Sequence, residues 1–374
     1  MDLTFVFPCL NEEQTLAECI HAVRESLDSA CDELTYEVIV ADNGSSDRSC
    51  EIASELGARI IAVKRRGYGA ALKGGIEAAR GRYVMFADAD GTYCYEHSLA
   101  LYRKAVEEDA DMAIASRMAG NVESGAMPFL HRRLGTPILT RLINLLFRGK
   151  LSDCNSGFRC IRRSSYKCWG VRSTGMEFAS ELLIKSLKAK ARTVEVDSGL
   201  RRGPEGRTAH LRTWRDGMRH LLFILSERPE LFELVGIILA VVASVLQLAA
   251  YWIGPANLLG LNIFDLHSKI LLLLAGLAGT QFYVFSCVLY LRGGRTLMKC
   301  TKRLINLDEG ILFFWLLVTF GIQAAVIAGI FMMWIWSGFE GLDLVDALML
   351  AGHLLSQLSV LAIGLLGIHV LKKT

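Results

Sequence analysis

Four apolar stretches, 231–253, 268–291, 311–336 and 345–371, constrain this chain more than any other feature. As a helix, each is long enough to cross the ~30 Å hydrocarbon core of a bilayer, where a backbone must satisfy its own polar groups. They lift the mean hydropathy to +0.35, although residues 1–228 read as an ordinary α/β chain. The competing reading is a helical bundle buried in soluble protein. The first stretch begins far from Met1, so no cleaved signal peptide is implied. Loop charges then orient the spans. The link 254–267 has only Lys269 nearby, and 337–344 has no Lys or Arg. The link 292–310 carries Arg292, Arg295, Lys299, Lys302 and Arg303, and the chain closes on Lys372 and Lys373. The excess of positive charge predicts an integral membrane protein with its N-terminal domain, the 292–310 loop and the C-terminus in the cytoplasm.

The segment before the spans alternates strand and helix patterns. Leu3–Phe7 reads as a strand ending at Pro8, with Asn11 as N-cap of the next helix and Glu12 and Glu13 in its first turn. Glu37–Ala41, Arg59–Val63, Tyr83–Ala87, 111–115 and Thr193–Val196 read as further strands, with helices at 70–80, 97–108 and 177–190. This alternation predicts a mostly parallel sheet with helices on both faces, and ligands beyond the carboxyl ends of its strands. The polar clusters 8–12, 42–47 and 88–92 all fall at such ends.

The last cluster carries the sharpest chemistry. If the apolar run Tyr83–Ala87 continues as a strand, Asp88 and Asp90 share a face. Two like charges side by side are costly unless a cation lies between them. The pair therefore points to Mg²⁺ or Mn²⁺ on a diphosphate. Gly67-Tyr68-Gly69 does not have the GxGxxG spacing, and no Gly-Lys-Ser/Thr follows it, so a dinucleotide or P-loop site is not expected. The cysteines at 9, 19, 31, 50, 94, 154, 160, 168, 287 and 300 form no CxxC pair, which fits reduced cytosolic thiols.

Two amphipathic segments precede the spans. In 127–150, Leu134, Ile138, Leu142 and Leu145 recur at helical spacing, with Arg133, Arg141 and Arg148 on another arc and a kink expected at Pro137. In Trp214–Leu225, Trp214, Met218, Leu221, Leu222 and Leu225 form the stripe. Both are expected to lie in the membrane interface rather than pack as core helices. The expected organisation is thus residues 1–228 with interfacial helices at about 127–150 and 214–226, then a membrane domain over 229–374. Basic clusters at 131–150, 159–172 and 201–219 suit anionic headgroups or a phosphorylated lipid; no nucleic-acid partner is expected.

Several motifs together resemble the second glycosyltransferase family, which has the GT-A fold. They are Phe7–Glu13, Val40–Asp47, Gly67–Gly75 and Asp88–Thr92, in that family's order. Asp153-Cys154-Asn155-Ser156-Gly157-Phe158-Arg159 is similar to a segment of its polyprenyl-phosphate branch, which includes dolichyl-phosphate mannosyltransferases and undecaprenyl-phosphate glucosyltransferases. Gly125–Arg132 and Thr174–Glu181 resemble a subgroup described as dolichol-phosphate-glucose synthase-like. The resemblance covers residues 3–228. It departs from the family at Thr92, where mannosyl-transferring members tend to carry a metal-binding Gln, and in the basic loop with Arg201, Arg202 and Arg207.

The resemblance implies inverting transfer from a nucleotide diphosphate sugar to a polyprenyl phosphate, with UDP-glucose favoured and GDP-mannose the other donor considered. By analogy Pro8, Asn11, Glu12, Asp42, Lys73, Asp88 and Ala89 bind the nucleotide sugar, and Asp88 and Asp90 hold the metal. A phosphate monoester is already nucleophilic near neutral pH, since its second pKa is about 6. It needs charge compensation more than a strong base, and arginine supplies that by paired hydrogen bonds. Arg117, Arg132 and Arg159 are the candidates for the lipid phosphate, and Asp153 either acts as a base or orients an arginine. Asp90, Asp153, Arg117 and Arg132 make up the catalytic set. A processive polysaccharide synthase would usually carry Gln-x-x-Arg-Trp, which is absent. A transferase with another lipid acceptor, and a non-catalytic scaffold or flippase component, are the alternatives. A homo-oligomer is compatible with all of them.

Overall fold

The computed structural model describes residues 1–30, 34–118, 122–203, 213–258, 261–293, 298–338 and 344–373. Arg207, in the expected basic loop, lies outside them. The chain divides into two compact units, Met1–Ile224 and Leu225–Thr374.

The first unit is built on β1 (Leu3–Cys9), α1 (Leu16–Asp28), β2 (Tyr36–Asp42), α2 (Ser49–Glu55), β3 (Arg59–Ala62), α3 (Tyr68–Ala78) and β4 (Tyr83–Phe86). It continues with α4 (Ser98–Glu107), β5 (Met112–Ser116), α5 (Thr136–Phe147), β6 (Arg159–Arg162), α6 (Arg163–Trp169), α7 (Phe178–Lys188), β7 (Thr193–Asp197) and α8 (Thr213–Ser226). The strands form a seven-stranded sheet in the order β3-β2-β1-β4-β6-β5-β7. All neighbours are parallel except β6, which runs antiparallel to both β4 and β5. Helices cover both faces of the central strands, so β1 is apolar and buried along its whole length rather than alternating. Its Phe5 and Phe7 pack with Tyr83, Met85 and Phe158 in one core.

Several expectations need correction. β1 does not stop at Pro8; it continues to Cys9, with Pro8 opposite Ala41. Its pairing with β4 ends at Val6↔Phe86, so the missing proline N–H falls where only one neighbour remains. Asn11 is not the cap of α1, which starts at Leu16 after Thr15. Asn11 instead adopts left-handed backbone (φ 58°), a conformation asparagine tolerates. Pro137 sits in the first turn of α5, directly after a π-turn over His131–Gly135. Proline cannot donate to the carbonyl four residues back, and the wider turn absorbs that loss. The strand β6 and helix α6 were not anticipated, because Arg-Cys-Ile-Arg is too short and too charged to show a period.

The registers bring the carboxyl ends of β1, β2 and β4 to one edge, since Cys9 pairs with Asp42 and Val6 with Phe86. The loops after these strands carry Asn11 and Glu12, Asp42–Asp47, and Asp88–Thr92.

The second unit holds α9 (Pro229–Ile253), the hairpin β8 (Ala256–Leu258) and β9 (Leu261–Ile263), α10 (Leu266–Gly293), α11 (Lys299–Ile305), α12 (Glu309–Trp336) and α13 (Val345–Lys373). Its four long helices are each long and apolar enough to cross a membrane. A Cβ at Gly236 on α9 would lie 2.6 Å from the backbone of Tyr283 on α10, so small residues let these two helices approach closely. Buried Glu233 accepts hydrogen bonds from the Thr301 hydroxyl (2.5 Å) and the Met298 N–H (3.1 Å), which pins the start of α11 to α9.

Candidate active site

The acidic loop is not the end of a strand. β4 closes at Phe86, and Asp88-Ala89-Asp90 follows as irregular chain. Strand alternation therefore does not set the two carboxylates; specific hydrogen bonds do. The Tyr95 hydroxyl donates to the Asp88 carbonyl, and the Thr15 hydroxyl donates to the Ala89 carbonyl (2.6 Å). Thr92 donates its N–H (3.0 Å) and its hydroxyl (2.6 Å) to Asp90 Oδ1. The residue where the family resemblance raised a missing ligand thus orients Asp90 instead. Gly91 supplies the positive φ of 72° that the turn requires. Both carboxylates are half-buried.

The neighbouring loop is equally ordered. Asp42 accepts from the Ser45 N–H (2.9 Å) and the Gly44 N–H (3.0 Å). Burial would raise its pKa, but these donors and the Ser45 hydroxyl outweigh it and hold the carboxyl below the usual range. Asn11 Oδ1 accepts from the Ser46 N–H (2.8 Å), tying the loop after β1 to the loop after β2. Glu12 is buried and donates its N–H to Ser49 (2.9 Å). Pro8 is buried in β1, and Lys73 is half-buried within α3. Asn43, which has no role in the expected site, clamps the next loop through the Val63 and Arg65 carbonyls and the Gly67 N–H.

A second centre lies past β5. Arg117 donates from Nε (2.7 Å) and Nη2 (3.0 Å) to the two oxygens of Asp153, which is 0% exposed. The N–H groups of Arg117 (3.2 Å) and Asn155 (3.0 Å) also point at that carboxylate. Burial opposes charge on Asp153, but the Arg117 guanidinium prevails and lowers its pKa. Burial likewise opposes charge on Arg117, and Asp153 raises it still higher. With both oxygens twice engaged, Asp153 is suited to orienting Arg117 and poorly suited to taking a proton. The loop is hung on α5: Cys154 donates its N–H to Thr140 (3.2 Å), and Asn155 its amide to Thr136 (3.4 Å).

The other two arginines part company. Arg132 is exposed on the π-turn before α5. Close to it in the chain Phe129 and Leu134 are 73% and 51% exposed, and further along α5 Ile138 and Leu145 are 54% and 79% exposed. Arg159 is 1% exposed and donates to the carbonyls of Ser156, Ala179 and Cys154 at 2.8–2.9 Å. Its guanidinium is consumed inside the fold, so its expected place at the lipid phosphate does not hold. It closes the 154–159 loop.

The residue that locates the site best is Gly157. A Cβ there would meet the Tyr93 hydroxyl at 2.8 Å, Asp88 Oδ2 at 3.1 Å and the Tyr68 hydroxyl at 3.4 Å. Gly157 N–H donates to Tyr93 (2.7 Å), and the Tyr68 hydroxyl stands with Asp88 Oδ2 over the same glycine. Burial first, then the Asp88 charge, raises the pKa of both tyrosines, so both remain neutral phenols. Tyr68 and Gly157 both fall inside motifs that carry the family resemblance, where neither has an assigned role. Their signal was available only as glycines flanking an aromatic residue. Further along, the segment after β7 crosses this loop: Leu200 bridges to Tyr93 and Val122, and the Arg201 N–H donates to the Thr92 carbonyl (2.7 Å). Arg201 also pairs with Glu96 (2.6 Å).

The donor set fits a hard divalent cation: two carboxylates, with neutral hydroxyls behind one of them. Among the described residues, no group of three or more His, Cys, Asp or Glu gathers that could hold a metal. The described residues therefore offer two acidic ligands at most there.

A mostly parallel sheet with an acidic loop past its fourth strand and an antiparallel insertion beside it defines a GT-A-type domain. Residues 4–170 match the model of "Glycosyl transferase family 2". The low-salt glycan biosynthesis hexosyltransferase Agl6 of Haloferax volcanii is 38% identical over 291 residues, 76% of this chain and 68% of that protein. A dolichyl-phosphate hexose transferase of the same organism is 30% identical over 185 residues, 49% of this chain and 76% of that one. Among solved structures, glucosyl-3-phosphoglycerate synthase from Mycobacterium tuberculosis, in complex with Mn²⁺, UDP and glucosyl-3-phosphoglycerate, superposes with a TM-score of 0.47 at 22% identity. That superposition covers 61% of this chain and 79% of the other. The chain belongs to glycosyltransferase family 2, and it is a glycosyltransferase.

Proposed function

We propose that this protein transfers a hexose from a nucleotide diphosphate sugar, UDP-glucose in the first instance, to a polyprenyl phosphate in the cytoplasmic leaflet. The observation that carries this reading is the meeting of Asp88, Tyr68 and Tyr93 at Gly157, close to the Arg117–Asp153 pair. Tyr93 links the two, since the charges of both Asp88 and Arg117 act on its hydroxyl. The acceptor class is supported by the relative that acts on dolichyl phosphate and by the long apolar helices.

In this reading an oxygen of the lipid phosphate attacks the anomeric carbon as the bond to the nucleoside diphosphate breaks, with inversion at that carbon. The phosphate brings its own negative charge, so no strong base is required. Arg117, its Nε and Nη2 held by Asp153, keeps Nη1 for the phosphate and compensates its charge. Arg132, among exposed apolar residues, meets the same headgroup from the interface. Asp88 and Asp90 would hold Mg²⁺ or Mn²⁺. When bound, such a cation offsets the charge that develops on the departing diphosphate. Pro8, Asn11, Glu12, Asp42, Lys73 and Ala89 border the nucleotide. The loop charges support a catalytic unit and both termini on the cytoplasmic side.

The deciding assay gives the purified full chain a panel of radiolabelled nucleotide sugars with dolichyl phosphate, undecaprenyl phosphate or diacylglycerol. Label is expected on a polyprenyl phosphate, and is expected to vanish in chelator. Label on diacylglycerol alone would reject the acceptor, and full transfer in chelated buffer would reject the role of Asp88 and Asp90.

A further inference from the structure

The Gly67-Tyr68-Gly69 turn has a rigidity that the transfer reaction does not by itself explain. Gly67 has φ 132°, and a Cβ there would fall 2.2 Å from the Thr174 carbonyl oxygen. A Cβ at Gly69 would fall 2.6 Å from Phe178 Cβ and 2.9 Å from the Gly175 carbonyl oxygen. The Ala70 N–H then donates to that same Thr174 carbonyl (3.0 Å). The backbone on either side of Tyr68 is thus wedged against the segment before α7. Asn43 adds a third hold by accepting from the Gly67 N–H (2.7 Å). What this clamp presents is one side chain, whose hydroxyl stands with Asp88 Oδ2 over Gly157, 3.4 Å and 3.1 Å from the place a Cβ would take there.

We infer that Tyr68 is a positioning residue for the metal-binding acid: its phenol fixes the Asp88 carboxylate in the orientation that receives the divalent cation. The inference rests on Asp88 being such an acid, as proposed above. Donors behind a metal-ligating carboxylate set its rotamer and basicity, and their loss typically costs about 10–100-fold in metal affinity or activity. A phenol held by two immobile glycines loses little entropy in doing so. A merely structural tyrosine would lower stability without altering the cation's grip.

The experiment measures Mn²⁺ binding to the full-length protein with UDP by electron paramagnetic resonance, together with the Mn²⁺ dependence of turnover. Wild type, Tyr68→Phe, Tyr68→Ala and Asp88→Ala are compared. Tyr68→Phe keeps the ring and its packing, so its melting temperature should stay near that of wild type. Its Mn²⁺ affinity should fall by about 10-fold or more, and excess Mn²⁺ should restore most of its turnover. If Asp88→Ala binds Mn²⁺ like wild type, the reading of Asp88 itself fails. If Asp88→Ala loses Mn²⁺ while Tyr68→Phe retains wild-type affinity, only the role given to Tyr68 is overturned. An equal loss of stability and turnover in Tyr68→Phe, with unchanged Mn²⁺ affinity, would also overturn it.

Discussion

Replacing Gly157 with alanine tests the architecture of the site with one methyl group. Gly157 does not adopt a positive φ, so the backbone accepts alanine and only sterics are probed. The new Cβ would stand 2.8 Å from the Tyr93 hydroxyl and 3.1 Å from Asp88 Oδ2. Ordinary contact near 3.4 Å requires shifts of roughly 0.6 Å and 0.3 Å at those atoms. Tyr93 cannot retreat freely. Its ring packs edge-on against Phe158 at 5.9 Å, and its backbone bridges to Leu200. The half-buried Asp88 carboxylate is the softer partner and takes up the strain. Overpacking of this size costs about 1–3 kcal/mol of stability. A misplacement of about 1 Å near reacting groups costs about 100-fold in rate, so displacing Asp88 by a few tenths of an ångström should lower kcat roughly 10-fold. The assay is initial-rate transfer of radiolabelled sugar to polyprenyl phosphate, with thermal unfolding in detergent as the control for folding. Wild-type kcat in a folded Gly157→Ala protein would refute the reasoning, because it would mean that Asp88 Oδ2 can leave its place without consequence.

Four further outcomes are expected. Asp90→Ala should abolish transfer while membrane insertion, followed by fractionation, is unchanged; normal turnover would count against the mechanism. Arg132→Ala should raise KM for the lipid acceptor more than for the nucleotide sugar, and the reverse order would reject its assigned role. Asp153→Asn leaves Arg117 buried without its counter-charge, which should destabilise the first unit by about 3–5 kcal/mol in chemical denaturation and cut turnover sharply. Because the folded pKa of Asp153 is lowered, the stability it contributes is present above the ordinary carboxylate pKa and is lost as pH falls through its lowered folded value. Wild type should therefore lose stability on acidification below that range, and Asp153→Asn should lose less. Arg159→Met should lower the melting temperature, yet leave the KM for lipid unchanged in the folded fraction; a selective rise in that KM would restore Arg159 to the acceptor site.

Much of this molecule could be read in its sequence, and the reasons are physical. A hydrocarbon core leaves a chain little choice but long helices, so the four apolar stretches match α9, α10, α12 and α13 to within a few residues. A doubly covered sheet demands buried apolar strands, and β1, β2 and β5 announced themselves that way. The clusters at the strand ends followed from the parallel arrangement. What stayed hidden depends on contacts between distant segments. Arg159 looked like a free cation in an Arg-rich stretch, but three backbone carbonyls around it decide otherwise. Asn11 had the spacing of a helix cap, but the competing partner at Ser46 lies 35 residues away. Tyr68 reached no significance until the fold set it near Asp88, because no local pattern encodes the approach of two side chains 20 residues apart.

The tether between α5 and the Asp153 loop has a mechanical consequence. Thr136 and Thr140 are buried on one side of the helix and hold Asn155 and Cys154, while Ile138 and Leu145 stand bare on the other. One rod thus carries a greasy keel along one edge and, along the opposite edge, the hinge of the loop that steers a guanidinium. If α5 lies in the membrane interface, as we propose, tilting or sinking that keel in a thicker, thinner or more fluid lipid film moves the hinge as well. Turnover would then be a readout of the film itself, and detergent micelles and bilayers of different chain length are expected to give different rates for one unchanged sequence.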